Sequence, residues 1–453
     1  VKDKTLDRMD TFKILCEEYK KNNSIDVDLY EKFEVKRGLR NADGSGVMAG
    51  ITNICCVHGY VISEGEKLPI PGKLIYRGYD VEDLVEGSRK DDRYGFEETA
   101  YLLLFGKLPN KQELIQFREI VSEFRDLPAN FTEDVIIKLP SPNIMNKLSH
   151  AMLSLYTYDD EPENNSVMSE MIKSIHAISK LPAIMVAAYQ VKRRVYNNES
   201  MVMHIVNKEE SLAESILSTL RDDRIYTQEE AKLLDLCLML HAEHGGGNNS
   251  TFTCRVLTSS GTDAYSAYSA AIGSLKGPRH GGANMKVMEM LEHAKNDISN
   301  WEDDGEVADF INKIIKGEAG DRSGLVYGMG HAVYTISDPR TKILKENAMR
   351  LAKGTEFESE FKLLDKIEQL TPEIFANCRG DIKEICANVD MYSGLVYKML
   401  NIPADLYTPL FAVARMPGWC AHRLEEIITG KRIMRPAYKT VVKDKKYISI
   451  KDR

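Results

Sequence analysis

Residues Thr227 to Leu240 constrain the fold more than any other part of the chain. Thr227 and Glu230 have the spacing of a capping box, in which hydroxyl and carboxylate satisfy free amide donors at a helix start. Ala231, Leu233, Leu234, Leu236, Cys237, Leu238 and Leu240 follow, interrupted chiefly by Lys232 and Asp235. A helix that is apolar nearly all round must be wrapped by other elements, so this one predicts the centre of a large core. It runs into HAEHGGGNNST, residues 241–251. His241 and His244, three apart, are expected to share a face, and Gly245, Gly246 and Gly247 let bare backbone approach whatever binds there.

Three readings of these histidines stay open on local grounds. One is a satisfied core imidazole followed by a glycine stop. A second is a metal site, but a zinc-protease helix needs histidines at i and i+4, and HxxH does not fit, so no metal is expected. The third is a catalytic or ligand-binding imidazole.

The chain has 453 residues, 43% hydrophobic and 28% charged, with net charge -8 and pI near 5.8. That composition describes a folded protein with one very large or two ordinary domains, and it argues against nucleic acid as a partner. The short basic clusters at 192–194 and 443–446 read as solvated faces. No run of about eighteen consecutive apolar residues is present, so no membrane span is expected. The N-terminal stretch lacks an apolar signal core and is acidic for a transit peptide. The eight cysteines include the pair Cys55–Cys56 but no CxxC, and read as reduced packing residues. A cytoplasmic location is expected on these grounds.

Helical patterns dominate. Residues 95–127 hold two, split by a breaker at 106–109; Leu181–Val191 forms another behind Pro182; residues 262–275 pair small side chains with tyrosines for close packing. Residues 54–62 and 73–76 read as a β-hairpin. The expected fold class is therefore all-α, with one small hairpin in the N-terminal part.

Histidines recur among glycines. His280 precedes a helix expected from Ala283 or Asn284, where the positive helix end holds an imidazole neutral and able to donate a hydrogen bond. His331 lies in YGMGHAVYTISDPR, with Arg340 behind Asp338 and Pro339. Asp390 opens an amphipathic helix and, on local grounds, reads first as its cap and only second as a catalytic group. Thr408 and Pro409 are expected as N-cap and first residue of a helix that Pro417 kinks. Arg415 on that helix has no acidic residue near it in sequence, and a buried guanidinium needs a partner, for which a bound carboxylate is suited.

HAEHGGGNNST, GPRHGGAN, GMGHAVYTISDPR, NVDMYSG and FAVARMPGW, in this order and spacing, resemble the citrate synthase family. RGYDVEDLVE and the Arg435–Pro436 pair extend the likeness to about residues 40–440. The resemblance implies a two-domain helical fold: a large domain from 1–245 and 395–453, and a small domain from 246–394. It implies condensation of acetyl-CoA with oxaloacetate and hydrolysis of the citryl thioester. Asp390 then matches the base that takes the methyl proton, His244 the group bonding the thioester oxygen, and His280 the acid at the ketone. His331, Arg340 and Arg415 match substrate-binding positions, and Arg435 one supplied by a partner subunit of a homodimer. Gly273, Leu275, Lys276 and Gly277 match the loop around the adenine of CoA. CoA enters as substrate, and no metal or redox cofactor is implied.

Two departures stand out: Gly245 where the family often has Glu, and Ala387 where Pro commonly precedes NVD. Propionyl-CoA would serve the same residues in a 2-methylcitrate synthase, since one methylene discriminates by only about 1–3 kcal/mol. A non-catalytic CoA- or dicarboxylate-binding homologue is the alternative from another class.

Overall fold

The computed structural model describes residues 9–41, 43–64, 66–379 and 385–453. The chain divides into two units, Val1–Ile51 and Thr52–Arg453. The first carries helices Met9–Asn22 and Asp28–Lys32, and neither buries a residue. The second holds the core.

Helix accounts for 58% of the residues, and one small sheet for the strands. The expected hairpin is β1 (Cys55–Ser63) against β2 (Glu66–Tyr76), antiparallel, with Cys55 facing Tyr76; β3 (Tyr79–Asp80) adds a short third strand. The helices that build the site are labelled in chain order: α1 (Gln228–His241), α2 (Asn249–Ser259), α3 (Ala264–Leu275), α4 (Ala283–Asp297), α5 (Pro339–Ala352), α6 (Asp390–Met399) and α7 (Tyr407–Thr429).

Helix α1 has the capping box at Thr227 and Glu230 and buries every residue from Leu233 to His241. The 95–127 region forms helices Phe96–Phe105 and Lys111–Glu123; Gly106 closes the first in the left-handed conformation at φ 75°, and Asn110 caps the second. Asp235 explains why a carboxylate interrupts α1: it accepts the Gly95 and Phe96 N–H groups and so caps that neighbouring helix.

Several local expectations are corrected. Pro182 does not start a helix; it lies inside the 30-residue helix Val167–Tyr196. That helix is long and apolar enough by composition to cross a membrane, but 78% of its most apolar window is buried inside the protein, which identifies a core element. Helix α7 begins one residue before Thr408, whose hydroxyl donates to the Gly281 carbonyl instead of capping, and α7 continues through Pro417. Lys192 and Arg193 are not merely solvated: they pair with Asp405 and with Glu199 and Asp222. All eight cysteines are free thiols, but Cys16, Cys56 and Cys378 are exposed, so not all of them are packing residues.

The expected partition at residues 245 and 394 falls inside the second unit. Its segments meet over α1, α5 and α7.

Candidate active site

The central helix ends at His241, so His244 is not on its face but in the turn beyond it. The His241 ring is buried against Phe411, with ring centroids 4.3 Å apart, and neither of its nitrogens has a hydrogen-bond partner among the described residues. His244 instead meets His331 and Tyr334 edge-on, at 5.1 and 5.7 Å, and its Nε2 is buried with no partner among the described residues. An orphaned polar atom in a native interior calls for an explanation, and a ligand supplies one.

The glycines after His244 have separate reasons. Gly245 adopts φ +86°, where a side chain is strained. At Gly246 a Cβ would stand 3.2 Å from the His422 ring, a tight approach that bare backbone avoids.

His331 is held by a different device. Gly328 and Gly330, both at positive φ, turn the GMGH loop, and Gly328 packs so closely on Met391 and Val287 that a Cβ would come within 3.0 Å of both. The loop is stitched to the segment carrying Asp390: Asn388 N–H donates to the Gly328 carbonyl, Gly330 N–H to that of Cys386, and the Asn388 amide to that of Gly330. On its other side the loop rests on the hairpin, through Gly72 N–H to the Ser337 carbonyl and the Tyr334 hydroxyl to that of Lys73. Motifs far apart in sequence are thus brought together by backbone bonds.

Asp390 is the first residue of α6, yet its side chain caps nothing; Asn388 accepts the Asp390 N–H instead. Helix α6 runs parallel to α4. Gly394 lies against Asn284 and Met288 near their starts, and Lys398 pairs with Glu292 farther along. The N-terminal ends of both helices therefore coincide, which brings Asp390 and His280 to the same end of the pair.

Hydrogen bonds anchor two of the rings and fix the tautomer of one. His280 Nε2 lies 3.3 Å from the Ser250 N–H and 2.9 Å from the Ser250 hydroxyl, so the ring is anchored through that nitrogen. Val333 and Tyr334 N–H both donate to His331 Nδ1, so a neutral His331 carries its proton on Nε2. Burial lowers the His280 pKa to about 4, with the Arg415 charge adding to the effect. Burial, then Arg340 and His331, hold His244 neutral too. Asp390 moves the other way: burial raises its carboxyl to about 6, Asp338 adds to the rise, and Arg340 and Arg415 offset part of it. A base pushed toward neutrality by its surroundings sits among imidazoles that stay uncharged.

Arg340 is 3% exposed and grips Asp338 through Nε and Nη2 at 3.0 and 2.7 Å. Arg415 is 1% exposed; its Nε donates to the His241 carbonyl at 2.6 Å and its guanidinium lies over Phe411. No carboxylate hydrogen-bonds Arg415 among the described residues, although Glu243 acts on it electrostatically. Its terminal nitrogens are suited to an incoming carboxylate.

Other expected residues lie differently. Arg435 is exposed in the C-terminal segment, which has no regular secondary structure around it. Gly273 and Leu275 belong to the last turn of α3, not to a loop; Leu275 is fully buried, and the loop itself begins at Lys276 and Gly277. Sequence reasoning missed Ser250, Tyr334, Glu243 and His422. The last was detectable as a histidine seven residues after Arg415, on the same helical face. Cavities of about 660 and 460 Å³ lie elsewhere, and none of the site histidines lines them.

Residues 42–437 match the family described as "Citrate synthase, C-terminal domain". Citrate synthase 2 of Bacillus subtilis is 33% identical over 386 residues, 85% of this chain and 94% of that protein. 2-Methylcitrate synthase 1 of Corynebacterium glutamicum is 32% identical, over 93% of this chain and 99% of its own. The ternary complex of citrate synthase from Thermoplasma acidophilum with carboxymethyl coenzyme A and oxaloacetate superimposes with a TM-score of 0.75 at 27% identity, covering 92% of this chain and 99% of that one. By fold and by sequence along most of its length, the chain belongs to the citrate synthase family of acyl-transferring enzymes.

Proposed function

We propose that the protein joins the methyl carbon of acetyl-CoA to the ketone of oxaloacetate and hydrolyses the citryl-CoA formed, releasing citrate and CoA. The observation that carries this reading is the shared helix end bearing Asp390 and His280. A thioester methyl is a very weak acid, so its proton leaves only if a base takes it while a donor stabilises the developing enolate oxygen. Asp390 is the base and His280 the donor. His331, carrying its proton on Nε2, is the donor to the ketone oxygen as the new bond forms. His244, Arg340 and Arg415 hold the oxaloacetate carboxylates.

This distribution differs from the one that the resemblance implied. His280 takes the thioester role from His244, because it stands at the same helix end as the base. His331 takes the ketone role from His280.

Release of CoA from acetyl-CoA or propionyl-CoA with oxaloacetate tests the proposal. Preference for acetyl-CoA is expected; preference for propionyl-CoA would make the protein a 2-methylcitrate synthase, and release from neither would point to a binding protein. The kcat/KM for acetyl-CoA should fall as pH drops through about 6, tenfold per unit below it, because protonation removes the base. A profile flat down to pH 5 would remove Asp390 from that role.

The groups that meet oxaloacetate come from both expected domains: His244 and Arg415 from the large one, His331 and Arg340 from the small one. Oxaloacetate should therefore draw the two together and raise the affinity for acetyl-CoA. Small-angle scattering should show a more compact protein at saturating oxaloacetate, and unchanged dimensions would refute the closure. We further propose a cytoplasmic homodimer in which Arg435 reaches the neighbouring subunit's site.

A further inference from the structure

Arg415 is buried and charged, yet its counter-ion does not touch it through a hydrogen bond. On α7, Arg415, Gly418 and His422 stand at i, i+3 and i+7 and so form one stripe. Glu243, fully buried, lies along that stripe. A Cβ at residue 418 would fall 2.2 Å from Glu243 Oε2, so glycine there leaves room for the carboxylate. Glu243 Oε1 is 3.1 Å from His422 Nε2, and Oε2 is buried without a hydrogen-bond partner among the described residues. Beyond His422 stands Arg255, whose Nε and Nη2 reach His422 Nδ1 at 3.0 and 2.7 Å. A guanidinium only donates, so His422 Nδ1 accepts and Nε2–H donates to Glu243. Arg255 is itself anchored by Glu425 and Glu426. Burial pushes the Glu243 carboxyl upward, but His422, Arg415 and the His244 N–H outweigh it and keep the group below its ordinary value, hence ionised.

We propose that Glu243 is a tethered counter-ion for Arg415, and that His422 and Arg255 are positioning residues that hold it back. Its negative charge makes the buried guanidinium tolerable in the empty site. The tether keeps it from closing onto the terminal nitrogens that a substrate carboxylate needs. The proposal rests on the reading of oxaloacetate as substrate. It demands opposite signs from neighbouring substitutions, which a packing role would not produce.

The experiment is oxaloacetate binding to the full-length protein by calorimetry, with melting temperatures of the substrate-free forms. Glu243→Gln keeps the shape and removes the competing charge. It should bind oxaloacetate about 3–10-fold more tightly while melting at lower temperature, since Arg415 is then uncompensated. His422→Leu frees the carboxylate to compete and should weaken binding about tenfold. His422→Gln, which can accept from Arg255 and donate to Glu243, should restore affinity to within about twofold. In the double variant Glu243→Gln/His422→Leu, the loss caused by Leu should disappear, since there is no charge left to compete. If His422→Leu does not fold, the sign of the Glu243→Gln effect decides alone. Weaker binding by Glu243→Gln overturns the tethered counter-ion. A wild-type protein that binds no oxaloacetate overturns the substrate reading, and this proposal with it.

Discussion

Asp390→Asn is expected to lower kcat about 10²–10⁴-fold while leaving oxaloacetate affinity nearly unchanged. The substitution keeps the size and polarity of the side chain and removes only its ability to take a proton. If Asp390 served as a helix cap, Asn would replace it with little loss, because the two cap about equally well. The structure already separates these roles, since the carboxylate caps nothing and Asn388 accepts its backbone N–H. Steady-state kinetics beside oxaloacetate calorimetry make the test, and activity within threefold of wild type would sink the assignment. The residual rate should also lose the fall near pH 6, because the titrating group is gone.

An equally large loss should follow from His280→Ala or Arg435→Ala alone, and mixing the two should recover part of it. In this reading His280 serves its own chain's site, whereas Arg435, exposed in the C-terminal segment, serves its neighbour's. In the proposed homodimer, a mixed pair has one site lacking both residues and one site with both. Random pairing at equal amounts makes half the dimers mixed, each with one whole site, so about a quarter of wild-type sites should return. Verified mixed dimers with no recovered activity would return Arg435 to its own chain or remove it from the reaction.

What the sequence made legible follows from where local rules and tertiary packing agree. The Thr227–Glu230 capping box, the left-handed Gly106 and the hairpin at 55–76 are short-range features whose chemistry is complete within a few residues. The histidines stood out because imidazoles among glycines are costly unless something uses the bare backbone. The failures share a cause. Pro182 and Pro417 each cost a helix a hydrogen bond, yet both stay inside helices because burial of neighbours such as Leu181, Ile184 and Trp419 offsets that loss. Thr408 capped nothing because Gly281 offered its hydroxyl a tertiary acceptor. The anchoring of the rings was legible only in part, because it depends on which backbone amide faces each ring, and that amide lies 30 residues away for His280 but only two or three away for His331.

The burial of α1 on every side has a kinetic consequence. Deleting a side chain from it, as in Leu234→Ala, leaves a void whose walls relax only partly. That relaxation is expected to shift α1, and with it His241, whose carbonyl holds Arg415, and the turn bearing His244. Stability screening of such variants would record only a lower melting point, whereas the displaced substrate-binding groups would register as a changed KM for oxaloacetate.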